Sequence, residues 1–111
     1  IVGMGTTCSG VCQAMFGVLQ KKVSDTSDSG VQMPILADTC IRPGLAKISD
    51  WTFRNVPNEI TMYDELFKWL RTAYPDVKTF TGGSETDQGH SFITYTAIIA
   101  QMAVKHGFKW V

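Results

Sequence analysis

Apolar positions fall into two patterns along the chain: short continuous runs, which suit strands inside a sheet, and runs stepped by three and four, which suit one helix face. Ile1, Val2 and Met4 form the first short run, read as a strand buried on both faces, with Gly3 and Gly5 allowing its carboxyl end to bend. Residues 9–22 follow as a helix, with Ser9 as N-cap and Val11, Ala14, Met15, Val18 and Leu19 as its apolar stripe. Residues 23–30, VSDTSDSG, carry no periodicity and predict an exposed, mobile loop.

The alternation then repeats. Residues 31–37 predict a second strand, in which Pro34 marks a bend or an early position. Residues 42–50 predict a loop with a short helical turn, and residues 51–55 a third strand. Asn58 opens the clearest helix, with Ile60, Tyr63, Leu66, Phe67, Leu70 and Tyr74 on one side, and Pro75 ends it. Residues 77–81 predict a fourth strand. A helix from Thr86 or Asp87 to His106 follows, with Phe92, Ile93, Thr96, Ile99, Ala100 and Ala103 buried and Gly107 as its stop. Residues 108–111 begin a last strand. This order predicts an α/β fold, a parallel sheet with flanking helices.

With 111 residues the chain is one domain or part of one, and its 10 basic residues balance 10 acidic ones. Neutrality gives no reason to expect nucleic acid or an anionic membrane as partner. No apolar run approaches the roughly 20 residues of a membrane span, and no signal peptide is expected within it. The start at Ile1 favours a piece excised from a longer chain. Cys8, Cys12 and Cys40 lack zinc-ligand spacing, and with His90 and His106 they predict no metal site. Either one disulfide to Cys40 or three buried thiols fits them.

The candidate chemistry lies where strands end. Thr6, Thr7, Cys8 and Ser9 present hydroxyls, a thiol and backbone donors at a helix start, a place suited to a carboxylate. Ser9 as nothing more than a helix cap is the structural alternative. Asp38, Thr39 and Cys40 form a second polar cluster at the next strand's end, and open α/β sheets bind ligands beyond such ends. Trp51, Trp69 and Trp110 are expected in packing, Asp64 and Glu65 in solvent, and Glu85 with Asp87 at the last helix start. Arg54, a charge on a short strand, is expected to meet a carboxylate or face a cleft.

Three stretches in this order, IVGMGTTCSGVCQA, PILADTCIRPGLAKISDWTFRNVPNE and VKTFTGGSETDQGHSF, resemble the type I periplasmic binding proteins, specifically the branched-chain amino-acid-binding proteins of ABC transporters. The resemblance implies a partial two-lobed fold, with residues 1–55 in lobe one and 56–111 in lobe two, neither complete. It implies a non-enzymatic protein without cofactor, periplasmic or at the cell surface. Such a protein captures an amino acid or related small carboxylate and delivers it to the transporter's membrane subunits.

By the same resemblance, Ser9, preceded by Cys8, holds the ligand carboxylate, and the backbone at Thr39, Cys40 or Ile41 adds contacts. The family's Ala-Thr before Pro-x-Leu is here Cys40-Ile41-Arg42 before Pro43, and its closing aromatic is here Gln88. Two other readings stand beside it. One is a ligand-sensing receptor ectodomain of the same fold. The other is an enzyme with Cys8 as nucleophile at a helix start and His90 as base.

Overall fold

The computed structural model describes residues 3–6, 8–86 and 89–111, without the side chains of residues 89 and 90. The chain is mixed α/β, with short parallel sheets and helices, and divides into two units, Ile1–Asn58 and Glu59–Val111.

In the first unit, β1 (Met4–Thr6), β2 (Ile35–Ala37) and β3 (Thr52–Arg54) form a parallel sheet in that order. Ile35 lies level with Met4 and Thr52, and Ala37 with Thr6 and Arg54. Ile35 and Ala37 face a core of Cys12, Phe16, Leu19, Cys40 and Leu45, against which Met15, Ile48 and Trp51 pack. Leu36 and Phe53, paired in the intervening row, are 48 % and 52 % exposed. The core therefore sits on one face of this sheet. β1 is an edge strand of it, so Met4, expected to be buried on both faces, is 42 % exposed. Ile1 and Val2 lie outside the described residues.

The first helix, α1 (Ser9–Gly17), stops five residues before Lys22, the expected end. Tertiary pairing overrides the local pattern here. Val31 N–H donates to Val18 O at 3.0 Å and Gln20 N–H to Val31 O at 3.1 Å, which pulls the backbone out of the helix. The buried side of α1 is also turned by about one residue: Cys12 and Phe16 are enclosed while Val11 and Val18 are exposed. Cys12 and Cys40 form a disulfide, tying α1 to the end of β2, and Cys8 is exposed, so three buried thiols is not the arrangement.

Gln20 is the polar centre of this unit. Its buried side chain accepts from Trp51 Nε1–H at 3.0 Å and donates to Asp25 O at 2.8 Å, and its backbone carbonyl accepts from Ser49 Oγ–H at 2.5 Å. Residues 23–30 are mostly exposed, as expected, with Asp28 and Gly30 half-buried, but they are hydrogen-bonded. Asp28 accepts from the Lys21 and Gly30 amides, at 2.6 and 2.8 Å, and Asp25 accepts from Ser27. The expected helical turn is the 3-10 turn Leu45–Lys47.

The second unit consists of α2 (Glu59–Ala73), β4 (Thr79–Phe80), α3 (Gly89–Ile93), a π-helical segment (Thr94–Ile99), α4 (Ala100–Lys105) and β5 (Lys109–Trp110), which pairs parallel with β4. Phe67, Ala103 and Phe108 are its buried centre, with Tyr63, Leu70, Phe80, Ile99, Met102 and Trp110 around them. Arg71 fastens the ends of this unit. Its guanidinium lies 3.8 Å from the Phe108 ring centre and donates to the carbonyls of His106, Gly107 and Val77, at 3.0, 2.8 and 2.9 Å. Gly107 terminates α4 with φ 78°, the left-handed geometry that a stop glycine supplies.

Several expected burials in this unit do not occur. Ile60 and Leu66 on α2, and Tyr74 just past its end, are 43 %, 40 % and 53 % exposed, because the packed seam is the narrower line of Tyr63, Phe67 and Leu70. Phe92 and Ile93 are exposed and Thr94 is buried. The π segment is the cause: it adds one residue to a turn, and each residue rotates a helix by about 100°. Asp64, expected in solvent, accepts from Lys105 Nζ at 2.8 and 2.9 Å and lies 2.6 Å from His106 Nε2.

Candidate functional site

The carboxyl ends of β1, β2 and β3 come side by side and carry polar residues. Asp38 N–H donates to Thr6 O at 2.9 Å and Asn55 N–H to Ala37 O at 3.3 Å, so the ladder continues just past each strand. The residues after it form a rim. Asn55 Nδ2–H donates to Asp38 Oδ1 at 3.0 Å, and the Asp38 carboxylate remains exposed. A depression of about 620 Å³ opens beside this rim, lined by Met4, Gly5, Thr6, Cys8, Val11, Met15 and Asp38. Its wall is thus thioether and aliphatic, with a hydroxyl residue, a thiol and a carboxylate at one end.

Cys8, not Ser9, is the N-cap of α1, and its side chain makes no capping bond. It has φ 64°, the left-handed region that is uncommon for a residue with a Cβ, at the corner between strand and helix. Ser9 is instead the first helical residue, and it is buried. Its Oγ accepts the Arg42 backbone N–H at 3.3 Å, which ties the start of α1 to the loop after β2 and leaves the hydroxyl proton to be donated. Arg42 reaches α1 a second time through its guanidinium, which donates to the Gln13 side chain.

Thr39 is exposed at the end of β2. The side chain of Cys40 is spent in the disulfide and fully buried, so only its backbone remains available, and its carbonyl faces the Arg54 guanidinium at 3.5 Å. Arg54 also donates to Arg42 O at 3.1 Å. It therefore binds carbonyls of the rim, where a carboxylate partner or a cleft was expected. Gln88 and Asp87 lie outside the described residues, as does the side chain of His90.

Of the residues singled out in the sequence, Cys8 lines the depression, whereas Ser9, Thr39 and Cys40 lie in the neighbouring helix start and loop without lining it. Asp38, already part of the polar cluster expected after the second strand, also lines the depression, and Asn55, not singled out in the sequence, bonds to Asp38. Asp38 is the first polar residue after an apolar strand, a signal that Asn55 lacks, since it follows the polar Arg54. Among the described residues, no group of His, Cys, Asp and Glu is arranged to hold a metal ion, and no helix is long and apolar enough to cross a membrane. Compared with family models, curated proteins and solved structures, the chain matches none.

Proposed function

We propose that the chain is part of a solute-binding protein of the type I periplasmic class, serving an ABC transporter from the periplasm or cell surface. Its ligand site lies at the carboxyl edge of the β1–β2–β3 sheet. The supporting observation is the joining of three parallel strand ends into one polar rim beside an open depression, the place where open α/β sheets take ligands. The Cys12–Cys40 disulfide supports an oxidising compartment.

The rim suits a small zwitterion. Asp38, which lines the depression, supplies a carboxylate for an ammonium group, while the start of α1, whose Cys8 lines the depression and whose Ser9 keeps a hydroxyl proton to donate, suits a carboxylate. The thioether and aliphatic wall from Met4, Val11 and Met15 suits an apolar side chain. Capture of this kind needs no catalytic group, since a ligand shifts a conformational equilibrium in proportion to its preference for one state.

A thermal-shift screen of the mature protein against amino acids, small amides and aromatic carboxylates tests the reading. Ligand at a hundred times its dissociation constant stabilises by about 2.7 kcal/mol, an easily measured rise in melting temperature. A rise with amino acids and none with their deaminated acids is expected, and a silent panel rejects the proposal.

One observation favours a second reading, thiol chemistry. Cys8 is exposed, lies outside the disulfide and occupies a positive-φ corner at a helix start. Under the solute-binding reading Cys8 alkylates no faster than an ordinary exposed thiol at neutral pH. Markedly faster alkylation would favour the enzyme.

A further inference from the structure

We infer that the helix over residues 89–105 is a two-register element, and that the hydrogen bond from Thr94 to Glu59 selects the register seen. This goes beyond the solute-binding reading and does not depend on it. Phe92, Thr96, Ile99 and Ala103 are spaced four, three and four apart, which at α-helical pitch places all of them on one side, and Thr94 falls opposite Ala103. The structure has the other arrangement. The π segment Thr94–Ile99 rotates the first turns by about one residue step relative to α4, so Thr94 is buried and Phe92 and Ile93 face solvent.

Two sets of interactions compete. The α register would turn Phe92 toward the side that carries Ala103, a gain in apolar burial. The π register brings Thr94 Oγ1–H to Glu59 Oε2 at 2.5 Å, a bond to a fully buried carboxylate at the start of α2. It also brings Tyr95 against Trp110, ring centres 5.2 Å apart. Because the chain is patterned for one register and bonded for the other, both are accessible packings of one segment, as in other bistable elements. The consequence is control of a surface: Phe92 and Ile93 are presented in the π register, and Phe92 is withdrawn in the α register. A ligand or partner that holds either state moves the equilibrium.

Nuclear magnetic resonance of the full chain tests this. Thr94→Val removes the donor at nearly constant shape, and loss of the i to i+5 hydrogen-bond couplings across 94–99 is expected, with a fall in paramagnetic relaxation at the Phe92 ring. Thr94→Ser keeps the donor and is expected to keep both signals. A Thr94→Val chain that retains the couplings and an exposed Phe92 overturns the inference. If that variant does not fold, saturation-transfer spectra of the unaltered chain decide. Residues 89–99 are expected to share one minor state, populated between roughly 0.1 and 10 %. Flat profiles across those residues overturn it.

Discussion

Under the solute-binding proposal, Asp38 would distinguish a zwitterion site from a plain anion site, because it lines the depression next to a helix start that favours negative charge. A charged hydrogen bond contributes about 1.5–3 kcal/mol. Asp38→Asn should therefore weaken binding of whichever amino acid the screen identifies by about tenfold or more, that is, by 1.4 kcal/mol or more. The same change should leave the N-acetylated ligand unaffected, as calorimetric titration of both would show. Because Asp38 is exposed, the melting temperature of the free protein should hardly move, its stability staying within about 0.5 kcal/mol. Equal loss for both ligands would mean that Asp38 shapes the rim through Asn55 and touches no ammonium. Ser9→Ala acts differently. It removes the acceptor of the Arg42 amide, so the loop after β2 loosens, and both ligands should weaken together.

At the scale of elements, the first unit is held where its loops cross. A Cβ on Gly30 would lie 2.6 Å from Gln20 Cα and 2.6 Å from the Leu19 carbonyl carbon, both backbone atoms that cannot step aside. Gly30→Ala should therefore break the Leu19–Val31 bridge and cost about 1–3 kcal/mol or more, read as a lower urea midpoint. Reducing Cys12–Cys40, which closes 28 residues, should cost about 3–4 kcal/mol by the loop-entropy account. Protein that unfolds at the same urea concentration with and without reductant would show that packing of Phe16 and Leu19 alone sets this corner. The kinds and order of the elements were legible because Pro34, Pro75 and Gly107 mark bends and ends through local geometry. The end of α1 was not, because Val31 takes the Val18 carbonyl from across a loop, and no local pattern contains that pairing. The last helix misled for the opposite reason: its α-period stripe is real, but a bond to Glu59, 35 positions away, favours the π segment. Ser9 and Cys40 lie next to the strand ends that the sequence pattern singles out, yet their side chains bond to Arg42 and Cys12, partners that spacing alone does not reveal.

For the whole molecule, each unit has its own core and its own acid-sensitive fastening. In the first unit Asp50 is held below its ordinary value by the Val23 amide first and then by Lys22. Asp28 is held down by the Lys21 and Gly30 amides, and Asp25 by Ser27. In the second unit Lys105 and then His106 lower Asp64. A carboxyl that titrates lower in the folded chain binds fewer protons there than in the unfolded chain, so stability climbs with pH across the acid range. The contribution is complete above the unfolded carboxyl value of about 3.9 and is lost as pH falls through the folded values. Urea midpoints should thus drop progressively as pH falls below about 5, and the drop should divide by unit. Followed at the Trp51 indole, which packs on the first core, the dependence should flatten in Asp50→Asn and not in Asp64→Asn. Followed at Trp110, which packs on the second, the two variants should exchange roles. Flattening at both indoles by either variant would mean that the units unfold as one, and no change at either would mean that these carboxylates are fully screened by solvent.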